Sequence, residues 1–194
     1  MPHESSTATR LMTVVPRPLT LEAFEPYGEV ISAAGRESLG YDLYGERDDN
    51  FVAGSLESEH PLEVLLTRQH IREYRINFLE RHFEIAQAFI PLGGNPYLCV
   101  VADRDAPLEN GFPDLDAVKA FFVPGDTGLT LHRGTWHEPP FPLASGATMV
   151  VTSHRALTEA LGSTPDEQGE IHVGDVDKRH LTNRTGVELR IQLP

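Results

Sequence analysis

Apolar and polar residues alternate with a period of two in two stretches of this chain, which predicts strands rather than helices there. In Glu73-Tyr74-Arg75-Ile76-Asn77-Phe78 the side chains of Tyr74, Ile76 and Phe78 share one face, and near the end Val187, Leu189, Ile191 and Leu193 share another. Each pattern is that of a half-buried strand. Shorter apolar runs predict further strands at 14–15, 63–68, 87–91, 97–102, 120–123, 128–132 and 148–152. Fifteen prolines and sixteen glycines cut the chain into short pieces and leave little room for long helices. Two short helices are expected. Thr20 caps Leu21 to Phe24 before Pro26 and Gly28 stop it, and Asp114 caps a turn or two that ends by Lys119. The stretches 36–50 and 153–177 read as polar, glycine-bearing loops. Many short strands separated by turn residues predict an all-β fold, and closing the sheet into a small barrel removes its exposed edges.

A length of 194 residues suits one domain, read here as 11–194 behind a polar, disordered tail at 1–10. The formal charge of −13 argues against nucleic acid and anionic membranes as partners. A small anion remains a possible ligand, because a local group of Arg and His dominates the field within a Debye length of about 10 Å. The single cysteine, Cys99, sits in the apolar run Tyr97-Leu98-Cys99-Val100-Val101-Ala102 and reads as a core residue. One thiol cannot form a disulfide within the chain, and no apolar run approaches a signal or a membrane span, so a cytoplasmic protein is expected.

The densest chemistry lies in Leu131-His132-Arg133-Gly134-Thr135-Trp136-His137-Glu138-Pro139-Pro140, with two imidazoles, the only Trp and a turn glycine. His132 and His137 are five apart, too far for an i, i+4 pair, and Gly134 and Pro139 oppose a helix. The segment therefore reads as a strand running into a turn. His132-Arg133-Gly134-Thr135-Trp136-His137 resembles the second cupin motif, keeping its glycine and final histidine. Glu80-Arg81-His82, Gln87 and Gly94 keep the spacing of the first motif, with Glu80 at its first histidine and Gln87 at its glutamate. The resemblance implies a cupin-like β-barrel (a double-stranded β-helix). Glu80, His82 and His137 could hold a divalent transition metal (Ni, Zn, Mn or Fe), or the pocket could work with its side chains and no cofactor.

Leu79-Glu80-Arg81-His82, Gln87-Ala88-Phe89-Ile90-Pro91, Pro113-Asp114-Leu115 and Gly134-Thr135-Trp136-His137, with the Tyr27-Gly28 pair, are together similar to the ureidoglycolate lyase family. That resemblance implies a dimer that splits ureidoglycolate, a small anionic ureido acid, into glyoxylate and urea. Phe83 and Ala86 depart from the Pro and Thr usual there, and 170–194 has no match to the family. For this chemistry His137 is read as base, His82 as acid, and His132 as a further catalytic candidate. Arg68 or Arg81 would bind the substrate carboxylate, Gln87 its ureido group, and Trp136 would wall the pocket. The remaining histidines, His154 among them, read as solvated. A metal-dependent cupin isomerase or dioxygenase and a non-catalytic binding barrel are the competing functions.

Overall fold

The computed structural model describes residues 9–41 and 48–193. Most of the expected tail, residues 1–8, and part of the expected loop, residues 42–47, lie outside them; Arg10, read as tail, already belongs to a strand. The strands in chain order are β1 (Arg10–Val14), β2 (Arg17–Pro18), β3 (Gly28–Ile31), β4 (Glu63–Gln69), β5 (Arg75–Ile76), β6 (Phe78–Arg81), β7 (Gln87–Leu92), β8 (Tyr97–Ala102) and β9 (Leu108–Glu109). They continue with β10 (Phe112–Pro113), β11 (Lys119–Val123), β12 (Gly128–Leu131), β13 (Trp136–Pro142), β14 (Ala147–Ser153), β15 (Ile171–Val173), β16 (Val176–His180) and β17 (Val187–Ile191). Helix α1 (Leu21–Phe24) has Thr20 as its cap, as expected, and Asp114 caps a 3-10 turn (Leu115–Ala117).

A seven-stranded sheet, β15-β16-β6-β13-β8-β11-β2, and a five-stranded sheet, β3-β12-β7-β14-β4, make the barrel. The interior holds Phe24, Tyr97, Cys99, Val101, Phe121, Leu129, Leu131 and Met149. Side chains of this kind, fully buried, contribute about 1.5–3 kcal/mol each. The thiol of Cys99 is buried there and pushed up to about 12, so it is inert packing. Outside the seven-stranded sheet lies a second apolar layer around Trp136, Leu79, Leu98, Phe112 and Leu189. A three-stranded sheet, β1-β17-β5, carries Leu189 and Ile76 into it; β1 and β17 run parallel, with Arg10 opposite Val187.

Two expectations fail in instructive ways. The segment Trp136–Pro142 is a central strand rather than a turn, and Pro139 and Pro140 fall where the register shifts between Glu138 and Phe141. The stretch 153–177, read as loop, carries helix α2 (Arg155–Leu161), β15 and the first residues of β16, and helix α3 (Leu181–Thr185) follows. Histidine caps both helices: the His154 ring accepts from Leu157 N, and the His180 ring accepts from Asn183 N.

Candidate active site

Strand register builds the site. His137 on β13 faces Glu80 on β6, and Glu80 faces Lys178 on β16, so three neighbouring strands place these side chains in one row. His82 follows β6 two residues after Glu80 and points the same way. Gly134, at φ +83°, turns the chain before β13, and its N–H bonds the His82 carbonyl at 2.6 Å, tying the two motif segments together. Across the interior, Gln87 enters from β7. Glu80, His82, His137 and Gln87 are all buried, and Glu80 and Gln87 line a cavity of about 220 Å³ with Leu65, Thr67, Phe89 and Pro140.

The rings of His82 and His137 meet edge to face, 5.2 Å between centroids. Their Nε2 atoms stand 4.0 Å and 3.9 Å from the same Glu80 Oε1. Each Nδ1 faces a backbone carbonyl, Asp175 O at 3.3 Å for His82 and Thr135 O at 3.0 Å for His137. A carbonyl only accepts, so each Nδ1 carries the proton, and in a neutral ring each Nε2 presents a lone pair. His137 Nε2 lies 3.1 Å from Gln87 Oε1; a neutral His137 bonds Gln87 when the amide is turned by half a rotation to offer its N–H. His82 Nε2 is buried with no hydrogen-bond partner among the described residues.

Burial disfavours charge on both imidazoles, pushing His137 down to about 4 and His82 below its ordinary value. Burial alone would raise Glu80, but the attraction of His137, Lys178 and His82 outweighs it and holds the carboxyl below the usual range. With both rings neutral at pH 7, the standing positive charge beside Glu80 is the Lys178 ammonium, 3.3 Å from Oε2.

Period-two geometry keeps several sequence-chosen residues away from this site. Trp136 and Arg81 alternate with His137 and Glu80, so they face the outer layer. There the Arg81 guanidinium lies 4.1 Å from the Trp136 ring centroid, and its Nε donates to Asp177 at 2.9 Å. Trp136 therefore does not wall the cavity, and Arg81 is spent on Asp177. Arg68 is exposed on β4, on the face opposite Thr67 and Gln69, which do line the cavity. The His132 ring bonds the Glu25 carbonyl at 3.2 Å and holds the end of α1 instead of joining the cluster. Of the two departures noted in sequence, Phe83 is half exposed and stacks on Arg81, away from the cavity, while Ala86 is buried. Sequence reasoning passed over Lys178, because it lies just past the expected loop at 153–177, in the charged ending that had no match to the family.

The family described as ureidoglycolate lyase matches residues 11–169. The chain belongs to that family. A relative named ureidoglycolate lyase from Pseudomonas aeruginosa (strain LESB58) is 38% identical over 135 residues, 66% of this chain and 76% of the relative. Another of the same name, from Pseudomonas fluorescens (strain Pf0-1), is 34% identical over 134 residues, 66% of this chain and 77% of its own. Among solved structures, RmlC from Streptococcus suis in complex with dTDP-D-xylose aligns with a TM-score of 0.31 at 12% identity, over 66% of this chain and 60% of that one.

Proposed function

We propose that this protein is a carbon–nitrogen lyase that cleaves ureidoglycolate to glyoxylate and urea, in the breakdown of allantoin. The observation that carries the reading is the pair of Nε2 lone pairs on buried His82 and His137, both turned toward Glu80, which with Gln87 lines the cavity, within a chain of this family. His137 Nε2 takes the proton of the substrate hydroxyl; the C–O bond becomes C=O as the C–N bond breaks; and the same Nε2 returns the proton to the departing nitrogen. No water is consumed and no second acid is needed. This tautomer argues against a resting acid at His82, whose Nε2 bears a lone pair. Gln87 donates to or accepts from the ureido group, and the apolar walls limit water.

A second reading has its own support. An ion with bonds of about 2.1 Å in tetrahedral array sets its ligands about 3.4 Å apart. Glu80 Oε1 stands 4.0 Å and 3.9 Å from the two Nε2 atoms, wider than that, and the orphaned His82 Nε2 is the kind of buried atom a metal would satisfy. Glu80, His82 and His137 would hold a divalent transition metal, and bound there it would act as a Lewis acid toward substrate oxygen.

The deciding experiment follows glyoxylate release from racemic ureidoglycolate with and without chelator. Release that survives metal removal supports the imidazole route, and release lost on chelation and restored by one metal supports the second reading. A folded protein that releases no glyoxylate under either condition overturns the lyase assignment. A homodimer and a cytoplasmic location complete the proposal. Val64 and Leu66 on edge strand β4, each 69% exposed, offer apolar area to a second copy, and light scattering would read the dimer mass.

A further inference from the structure

The reaction needs a cation for the substrate carboxylate, and both arginines chosen from sequence point elsewhere. We propose that Lys178 is that cation, a specificity-determining residue supplied by the β15–β16 hairpin, which lies beyond the stretch that matches the family at 11–169. The proposal rests on the lyase reading above.

Register fixes the direction of the side chain. Lys178 stands opposite Glu80 across the β16–β6 ladder, on the face that carries His137, and its ammonium acts on both groups. Its immediate neighbours on β16, Asp177 and Arg179, face the other way, where they bind each other and Asp177 binds Arg81, so Lys178 lies on the face shared with Glu80 and His137 and is the charge of that strand beside them. The stem crosses the Phe78 ring, Nζ 4.9 Å from its centroid, and the side chain keeps 22% of its surface, enough to meet an arriving anion. Glu80 Oε2, facing Lys178, has no hydrogen bond of good geometry, so the ammonium contact at 3.3 Å is loose and leaves donors free for a second carboxylate.

The same hairpin braces the site. Asp175 gives its carbonyl to His82 Nδ1, and its carboxylate accepts from the backbone N–H groups of Phe83 and Glu84. Lys178 is thus mounted on an element already fastened to the catalytic strand. A carboxylate bound at Nζ would lie beside the row Lys178-Glu80-His137, with the α-hydroxyl directed toward the imidazoles. Esters, amides and aldehydes without an acid group would lack this anchor.

The test compares wild type with Lys178→Met and Lys178→Arg in two assays. In kinetics, Lys178→Met should raise KM for ureidoglycolate by about 10- to 100-fold while kcat stays within a few fold, and Lys178→Arg should recover most of the loss. In calorimetry with glycolate as probe, wild type should bind and Lys178→Met should bind at least about tenfold more weakly, with Lys178→Arg between them. A Lys178→Met enzyme with unchanged KM and lowered kcat overturns the proposal and leaves Lys178 as a residue that only positions Glu80. Equal glycolate affinity in wild type and Lys178→Met, or none in either, also overturns it. If wild type releases no glyoxylate, the lyase reading fails by itself, and the glycolate arm still decides whether Lys178 is a carboxylate anchor.

Discussion

The Glu80–His82–His137 cluster and the His60–Glu84–His154 cluster use the same residue types, and each brings three possible ligand atoms within 4.8 Å of one another. The second also borders the larger hollow, an open cleft of about 540 Å³ lined by His60, Glu63, His154 and Arg155. Their hydrogen bonds separate them. In the first cluster both Nδ1 atoms donate to carbonyls, which leaves a lone pair on each Nε2, that of His82 without a partner and that of His137 facing Gln87. In the second, His154 Nδ1 accepts from Leu157 N, so a neutral ring must carry its proton on Nε2, and that proton is donated to Asp175 Oδ2 at 3.3 Å. No lone pair is left over on His154, and His60 pairs with Glu84 at 2.7 Å near the surface. One cluster is equipped to accept a proton or a metal; the other is a strut that caps α2 and steadies Asp175. The location of lone pairs distinguishes them where size and composition do not.

The sharpest way to break this contrast is His137→Ala. It should lower kcat/KM at least a hundredfold with the fold retained, and near-wild-type turnover would remove His137 from the mechanism. His154→Ala should do the opposite. Losing a helix cap and a partner of buried Asp175 should cost about 1–3 kcal/mol in urea unfolding, with turnover of the folded enzyme within a few fold of wild type. A hundredfold loss of kcat at unchanged stability would make the second cluster catalytic.

A third measurement uses pH. Folding favours neutral His137, whose value falls from 6.5 to about 4, so its contribution to stability is fully present above about pH 6.5 and is lost as pH falls toward 4. The base form persists in step, and the acid limb of kcat/KM should lie below about pH 5.5; a midpoint near 6.5 would mean an ordinary, solvated imidazole. The smallest effects belong to groups outside the cavity. Replacing His60 with Ala should change stability by about 0–1 kcal/mol, because the His60–Glu84 pair is exposed. Replacing Arg68 with Ala should leave KM within about twofold, as expected of a solvated side chain.

Short apolar runs made the barrel legible, at β4, β7, β8, β11, β12 and β14, and clean alternation marked β5 and β17 in the outer sheet. Motif spacing likewise brought His82, His137, Gln87 and Glu80 together. What stayed hidden follows from local chemistry. Pro139, Pro140 and Pro142 disguise β13, although it is central in its sheet. The run Val176-Asp177-Lys178-Arg179-His180 straddles the end of the expected loop, and its charges find partners only after folding, Asp177 in Arg81 and Lys178 in Glu80. Histidine caps fall outside the Ser, Thr, Asp and Asn rule, which conceals α2 and α3 and leaves buried His154 looking solvated. Trp136 and Arg81 were misplaced for a simpler reason: a residue next to a cavity-facing neighbour on a strand faces away.

The parallel pairing of β1 with β17 has a consequence for how the molecule comes into being. Arg10 finds its partner only at Val187, so the outermost layer over Trp136 closes through a contact between segments far apart in sequence, a pairing that is slow to form. Until that contact forms, the apolar side chains of the layer stay uncovered, which is the kind of surface through which folding intermediates aggregate.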